Sequence, residues 1–96
     1  MGLVILTIAL WAAHFTLAYG FTAFACARAL PGAIPWVVGA ASAATLVGLA
    51  ALAIPAAIRA ARIPALGDVL ASGLGGLAAI AVVWEASSLL GVRACV

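Results

Sequence analysis

The chain has 96 residues, of which 70% are hydrophobic and only 6% charged. A soluble globular domain is about 45–50% apolar and about 25% charged, so that class is excluded. The formal net charge of +2 comes from Arg28, Arg59, Arg62 and Arg93 against Asp68 and Glu85, too few and too scattered for a nucleic-acid surface.

This length holds three spanning helices of roughly 20 residues each and leaves no room for an extramembrane domain. The reading is an all-α integral membrane protein, one transmembrane domain over 1–96, with helices at about 3–27, 35–58 and 69–90.

The first span is read from Leu3 to Ala27, a run without Asp, Glu, Lys or Arg. Ala23-Phe24-Ala25 has the small-x-small form of a signal cleavage site, with Cys26 after it. No basic residue precedes the run, however, and it exceeds the roughly 7–15 residues of a signal core, so a retained span is expected. The only histidine, His14, lies in its middle with Trp11 and the only tyrosine, Tyr19. Pro31-Gly32 is turn chemistry, and Pro35 suits the first turn of a helix, where a missing N–H costs nothing. Trp36 follows as an interfacial aromatic. So short a connection makes helices 1 and 2 antiparallel neighbours.

The second span is expected to end near Ile58, with Pro55 loosening its last turn. Its middle, Gly39-Ala40-Ala41-Ser42-Ala43-Ala44-Thr45, is built of small residues, and Gly39 and Ala43 are taken as packing positions. After a loop holding Arg59 and Arg62, Asp68 stands where an N-cap of the third helix is expected. Ser72/Gly76 and Gly75/Ala79 in that helix are small-x-x-x-small pairs, suited to packing within the bundle or against a neighbouring subunit. The paired arginines place the second loop in the cytoplasm by the positive-inside rule, with Arg28 and Arg93 opposite. The N-terminus is then cytoplasmic and the C-terminus periplasmic, in a bacterial inner membrane.

Three spans bring the ends of helices 1 and 3 to one face, and with them Cys26 and Cys95, the two cysteines of the chain. A disulfide is expected in that oxidising compartment, against the alternative of two free thiols acting as small apolar residues. Counted back from this face at 1.5 Å per residue, His14 is about 18 Å deep and Glu85 about 15 Å. A carboxylate inside a span costs roughly 2.5–3.5 kcal/mol on insertion scales and takes a partner. A His14–Glu85 hydrogen bond is therefore the first structural expectation. For His14 the alternatives are Ser88, a backbone carbonyl, a partner subunit's polar group, or haem ligation and proton transfer. A haem ligand would need a second axial residue, and the chain has no second histidine. The sequence carries no recognisable Ser/His/Asp set, metal-spaced Cys/His cluster or phosphate loop. The expectation is a non-enzyme with no cofactor.

Trp11-Ala12-Ala13-His14-Phe15, with Tyr19 and Cys26 and a chain ending in Cys95-Val96, resembles small three-helix bacterial membrane proteins associated with operons of haem-copper cytochrome c oxidases. The resemblance covers mainly helix 1 and the last residues. It implies a non-catalytic accessory subunit of a respiratory electron-transport complex, whose partners are other membrane subunits and lipid. Two other classes remain open: a small oligomeric transporter or ion conductor using Glu85, and a haem-binding electron carrier using His14.

Overall fold

The computed structural model describes residues 2–91 and 95. Three long helices are joined by tight connections: α1 over Gly2–Ala27, α2 over Ile34–Arg62 and α3 over Leu66–Gly91, with one 3-10 turn at Pro31–Ala33. All three are long and apolar enough to cross a membrane, as in a multi-pass membrane protein. At 1.5 Å per residue they measure about 39–44 Å, enough for a hydrocarbon core of about 30 Å. Packed side by side they form a rod of 52 × 20 × 16 Å.

The radial distribution of side chains is the reverse of a water-soluble bundle. Ile5, Phe24, Val47, Leu77, Ile80 and Trp84 are exposed, whereas Thr7, His14, Thr22, Ser42, Thr45 and Glu85 are buried. Hydrocarbon solvates large apolar side chains as well as a core does, so polar groups are what must be enclosed. Buried positions recur at intervals of three, four or seven: Thr7, His14, Ala18, Thr22 and Ala25 on α1, and Ile34, Val38, Ser42, Thr45, Leu49 and Ala56 on α2. Such spacing keeps one narrow seam facing inward along nearly parallel helices. Three hydroxyls on this seam are satisfied within their own helices: Thr7 donates to the Leu3 carbonyl (2.8 Å), Thr22 to Ala18 (2.6 Å) and Thr45 to Ala41 (2.7 Å).

α2 and α3 approach closely at Gly75, where an added Cβ would stand 2.6 Å from the Ala53 Cβ. Of the residues read as packing positions, Gly75 is buried at this contact and Ser72 and Ala79 are half-buried beside it. Gly39 is half-buried, Ala43 and Gly76 face outward, and an added Cβ at Gly39 or Gly76 would meet nothing within 4 Å. A small residue on an apolar helix marks a place where close approach is permitted; the helix's rotation decides whether it is used.

Helix ends differ from the sequence reading in two places. α2 runs past Pro55 and ends at Arg62, four residues beyond Ile58. Ile63 is extended (φ −135, ψ 100) because it precedes Pro64, whose ring bars that residue from helical geometry. Pro55 forfeits one hydrogen bond inside α2 without ending it. Asp68 is not the N-cap of α3: the Val69 N–H donates to the Ala65 carbonyl at 3.0 Å, so the helix starts earlier and Asp68 lies in its first turn. There it faces the positive end of the helix dipole and accepts from Arg59 Nε at 3.1 Å. The connection thus ties α2 to α3 at their shared end.

At the other end α1 closes on Ala29, a non-glycine residue at φ 55. Leu30 N–H donates to Ala25 (2.8 Å) and Ala29 N–H to Cys26 (3.2 Å), the pairing of a Schellman cap. Cys26 is disulfide-bonded to Cys95, with Cα atoms 5.4 Å apart across 69 residues of sequence. Arg93, one of the expected orientation markers, lies outside the described residues.

Candidate functional site

Each helix contributes one polar residue to a single buried cluster. His14 comes from the middle of α1, Ser42 from the first half of α2 and Glu85 from the second half of α3. They are 2%, 7% and 7% exposed. His14 Nδ1 lies 3.1 Å from Glu85 Oε2, and His14 Nε2 lies 2.9 Å from Ser42 Oγ. With Glu85 ionised, its carboxylate only accepts, so Nδ1 carries the proton and donates it. In a neutral ring Nε2 then accepts the Ser42 hydroxyl hydrogen, and the tautomer is set by the carboxylate. Both ring nitrogens are engaged.

The structure therefore brings together the His14 and Glu85 pair read by depth counting, and adds Ser42. Ser88 does not take part: its hydroxyl donates to the Trp84 carbonyl at 3.0 Å on the exposed side of α3. In the sequence Ser42 reads as one more small residue. It is, with Thr45, one of only two hydroxyl side chains in α2, and it sits eight residues beyond Ile34, about 12 Å from the Cys26 face. A depth count over all three helices marks it.

Ser42–His14–Glu85 has the hydroxyl–imidazole–carboxylate order of a nucleophilic triad, which is recognised by geometry and not by sequence position. Three helices bring residues 14, 42 and 85 together in space, an arrangement that no sequence motif marks. Its surroundings differ from those of a hydrolase. Ser42 lies inside a continuous helix whose backbone N–H groups are held in the helical ladder, so that ladder offers no oxyanion donors. Two apolar grooves, one of about 320 Å³ along Thr7, Trp11, Leu74 and Ala81 and one of about 400 Å³ along Leu46, Ala53, Gly75 and Ala79, include none of the three residues. Among the described residues no group of three His, Cys, Asp or Glu side chains gathers here.

The other aromatic residues lie outside the cluster. Trp11, at the edge of the His14 face, is 36% exposed and packs against Phe15 with ring centroids 5.9 Å apart. Tyr19 points outward, 4.7 Å from the Phe15 centroid, and Trp84 is 74% exposed.

What these features define is a three-span helical bundle closed by a disulfide at one end, by an ion pair at the other, and by a buried polar cluster between them. Comparison of the chain with protein-family models, with curated proteins and with solved structures finds no match.

Proposed function

We propose that this chain is a non-catalytic accessory subunit of a bacterial respiratory membrane complex, a cytochrome c oxidase in the first instance, and that it stabilises the complex through helix–helix contacts. One observation carries the reading: the only two ionisable side chains buried among the described residues are spent on each other and on Ser42, tying three helices together. A haem iron would have to displace Ser42 or Glu85 from a ring nitrogen of His14. A transporter would need a water path to Glu85, which is 7% exposed and flanked by Trp84 and Ala86. The helices themselves supply the large, lipid-like surface that a peripheral subunit presents.

In this proposal the N-terminus is cytoplasmic and the C-terminus periplasmic. The reasons are Arg59 and Arg62 at one end of the rod and the Cys26–Cys95 disulfide at the other.

The test is purification from native membranes in mild detergent. Co-migration with haem-copper oxidase subunits, and loss of oxidase heat stability when the chain is deleted, are the expected results. A population free of every oxidase subunit overturns the assignment. A Soret band from the chain alone would make it a haem carrier, and covalent labelling of Ser42 by a fluorophosphonate would make it a serine hydrolase.

A further inference from the structure

The Ser42–His14–Glu85 cluster has one polar atom without a partner. Glu85 Oε2 faces His14 Nδ1 at 3.1 Å and Ser42 Oγ faces Nε2 at 2.9 Å, whereas Glu85 Oε1 makes no hydrogen bond among the described residues. Oε1 is not enclosed either, because among those residues no fully buried side-chain nitrogen or oxygen lacks a partner. The Glu85 side chain keeps 10% exposure, against 0% for His14. One carboxylate oxygen thus holds the ring, and the other reaches the outside of the bundle within the spanning part of α3.

Ser42 is unlike the other bonded hydroxyls of the bundle. Thr7, Thr22, Thr45, Ser72 and Ser88 each donate to a carbonyl of their own helix, but the Ser42 hydroxyl has His14 Nε2 as its one partner. Its hydrogen is satisfied only while Nε2 is bare. Few groups face Glu85. Among the described residues α1 brings His14, and α2 brings Ser42, which does not titrate. Arg59, Arg62 and Asp68 belong to the opposite end of the bundle, Asp68 about 26 Å away along α3, and Arg28 lies beyond the end of α1 over the Phe24 ring.

A proton added to this cluster has two places to go. On Nε2 it makes an imidazolium, which displaces the Ser42 hydrogen from its one acceptor and leaves Oε1 an unpaired anionic oxygen. Two groups are then unsatisfied, and two charges stay in a low-dielectric site. On Glu85 Oε1 the proton neutralises the carboxylate, while Nδ1 still donates to Oε2 and the Ser42 hydroxyl to Nε2. Nothing has to move, and the one unpaired group is a neutral hydroxyl at the bundle surface. We infer that Glu85 Oε1, and not the imidazole, is the proton-binding atom of this cluster, which becomes a neutral carboxyl–imidazole–hydroxyl chain when loaded. His14 is a positioning residue that holds the carboxyl and keeps one tautomer throughout. This goes beyond the accessory-subunit reading and does not depend on it.

The test uses the full chain with its disulfide intact, in phosphatidylethanolamine–phosphatidylglycerol vesicles titrated from alkaline to acid pH. His14 is the only histidine and Glu85 the only glutamate, so isotope labelling by residue type assigns both signals. Nitrogen NMR should show a protonated Nδ1 and a bare Nε2 at both ends of the titration. Infrared difference spectra should gain the C=O band of a neutral carboxyl, which labelled glutamate shifts and Glu85→Gln removes. Glu85→Gln, a mimic of the loaded carboxyl, should keep the wild-type ring signals at every pH. Dicyclohexylcarbodiimide, an apolar reagent for protonated carboxyls, should label Glu85 in step with that band, with the adduct placed by peptide mass. A first proton that lands on the ring, seen as two protonated ring nitrogens beside an unchanged carboxylate band, would overturn the proposal. So would a Glu85 that takes up no proton before the helices unfold, or one that the carbodiimide never labels.

Discussion

Replacing His14 by alanine should cost this bundle far more than the loss of one side chain's packing. The ring is 2% exposed and holds Glu85 at 3.1 Å and Ser42 at 2.9 Å. Its removal strands a carboxylate that is 7% exposed, and breaking a buried pair by deleting one partner costs about 3–5 kcal/mol. Glu85→Gln alone keeps a neutral hydrogen-bonding group at the same place and should cost about 1 kcal/mol. If the two residues acted independently, the double variant would lose the sum, about 5 kcal/mol. If they are partners, the second substitution replaces the costly orphan by an amide. The double variant should then lose about 3 kcal/mol, less than His14→Ala alone, for a coupling of about 2 kcal/mol. The measurement is reversible unfolding in bicelles, by steric trapping, with the Cys26–Cys95 bond kept oxidised. Additive losses, with a coupling under about 0.5 kcal/mol, would refute the pairing as the source of the cluster's stability.

Gly75→Ala should destabilise the bundle by about 1–3 kcal/mol, because its methyl would collide with the Ala53 Cβ, and Ala53→Gly should recover part of the loss; Gly76→Ala, facing open space, should be neutral within about 0.5 kcal/mol in the same unfolding assay. Ala29→Gly should stabilise by about 1 kcal/mol, since it relieves a left-handed backbone at φ 55 while keeping both cap hydrogen bonds, and a rise in thermal midpoint would register it. Reducing the Cys26–Cys95 bond should cost about 4 kcal/mol in the chain-entropy treatment of a loop this long, read as the difference between oxidised and reduced unfolding curves. Arg59→Gln should change stability by less than about 1 kcal/mol, because its partner Asp68 is met at a solvent-accessible site where ion pairs contribute little.

The number of spans, their approximate limits and the depths of the buried polar groups were legible in the sequence. A bilayer imposes a length and an apolarity on every crossing segment, and a fixed rise per residue turns position into depth. Depth counting alone put His14 and Glu85 at one level and Cys26 and Cys95 at one face. Ser42 among alanines has the look of a spacer, and the end of α2 is set by the Ile63–Pro64 pair and not by Pro55. What a sequence of this kind conceals is rotation about each helix axis. In water an apolar stripe announces which side faces the core, whereas in lipid both sides are apolar and the stripe is lost. Hence Gly75 and Gly76, adjacent and chemically identical, could not be told apart until packing set one against Ala53 and left the other in the open. The same phase, decided only by three helices settling against one another, turned a depth-matched pair into the enclosed Ser42–His14–Glu85 cluster.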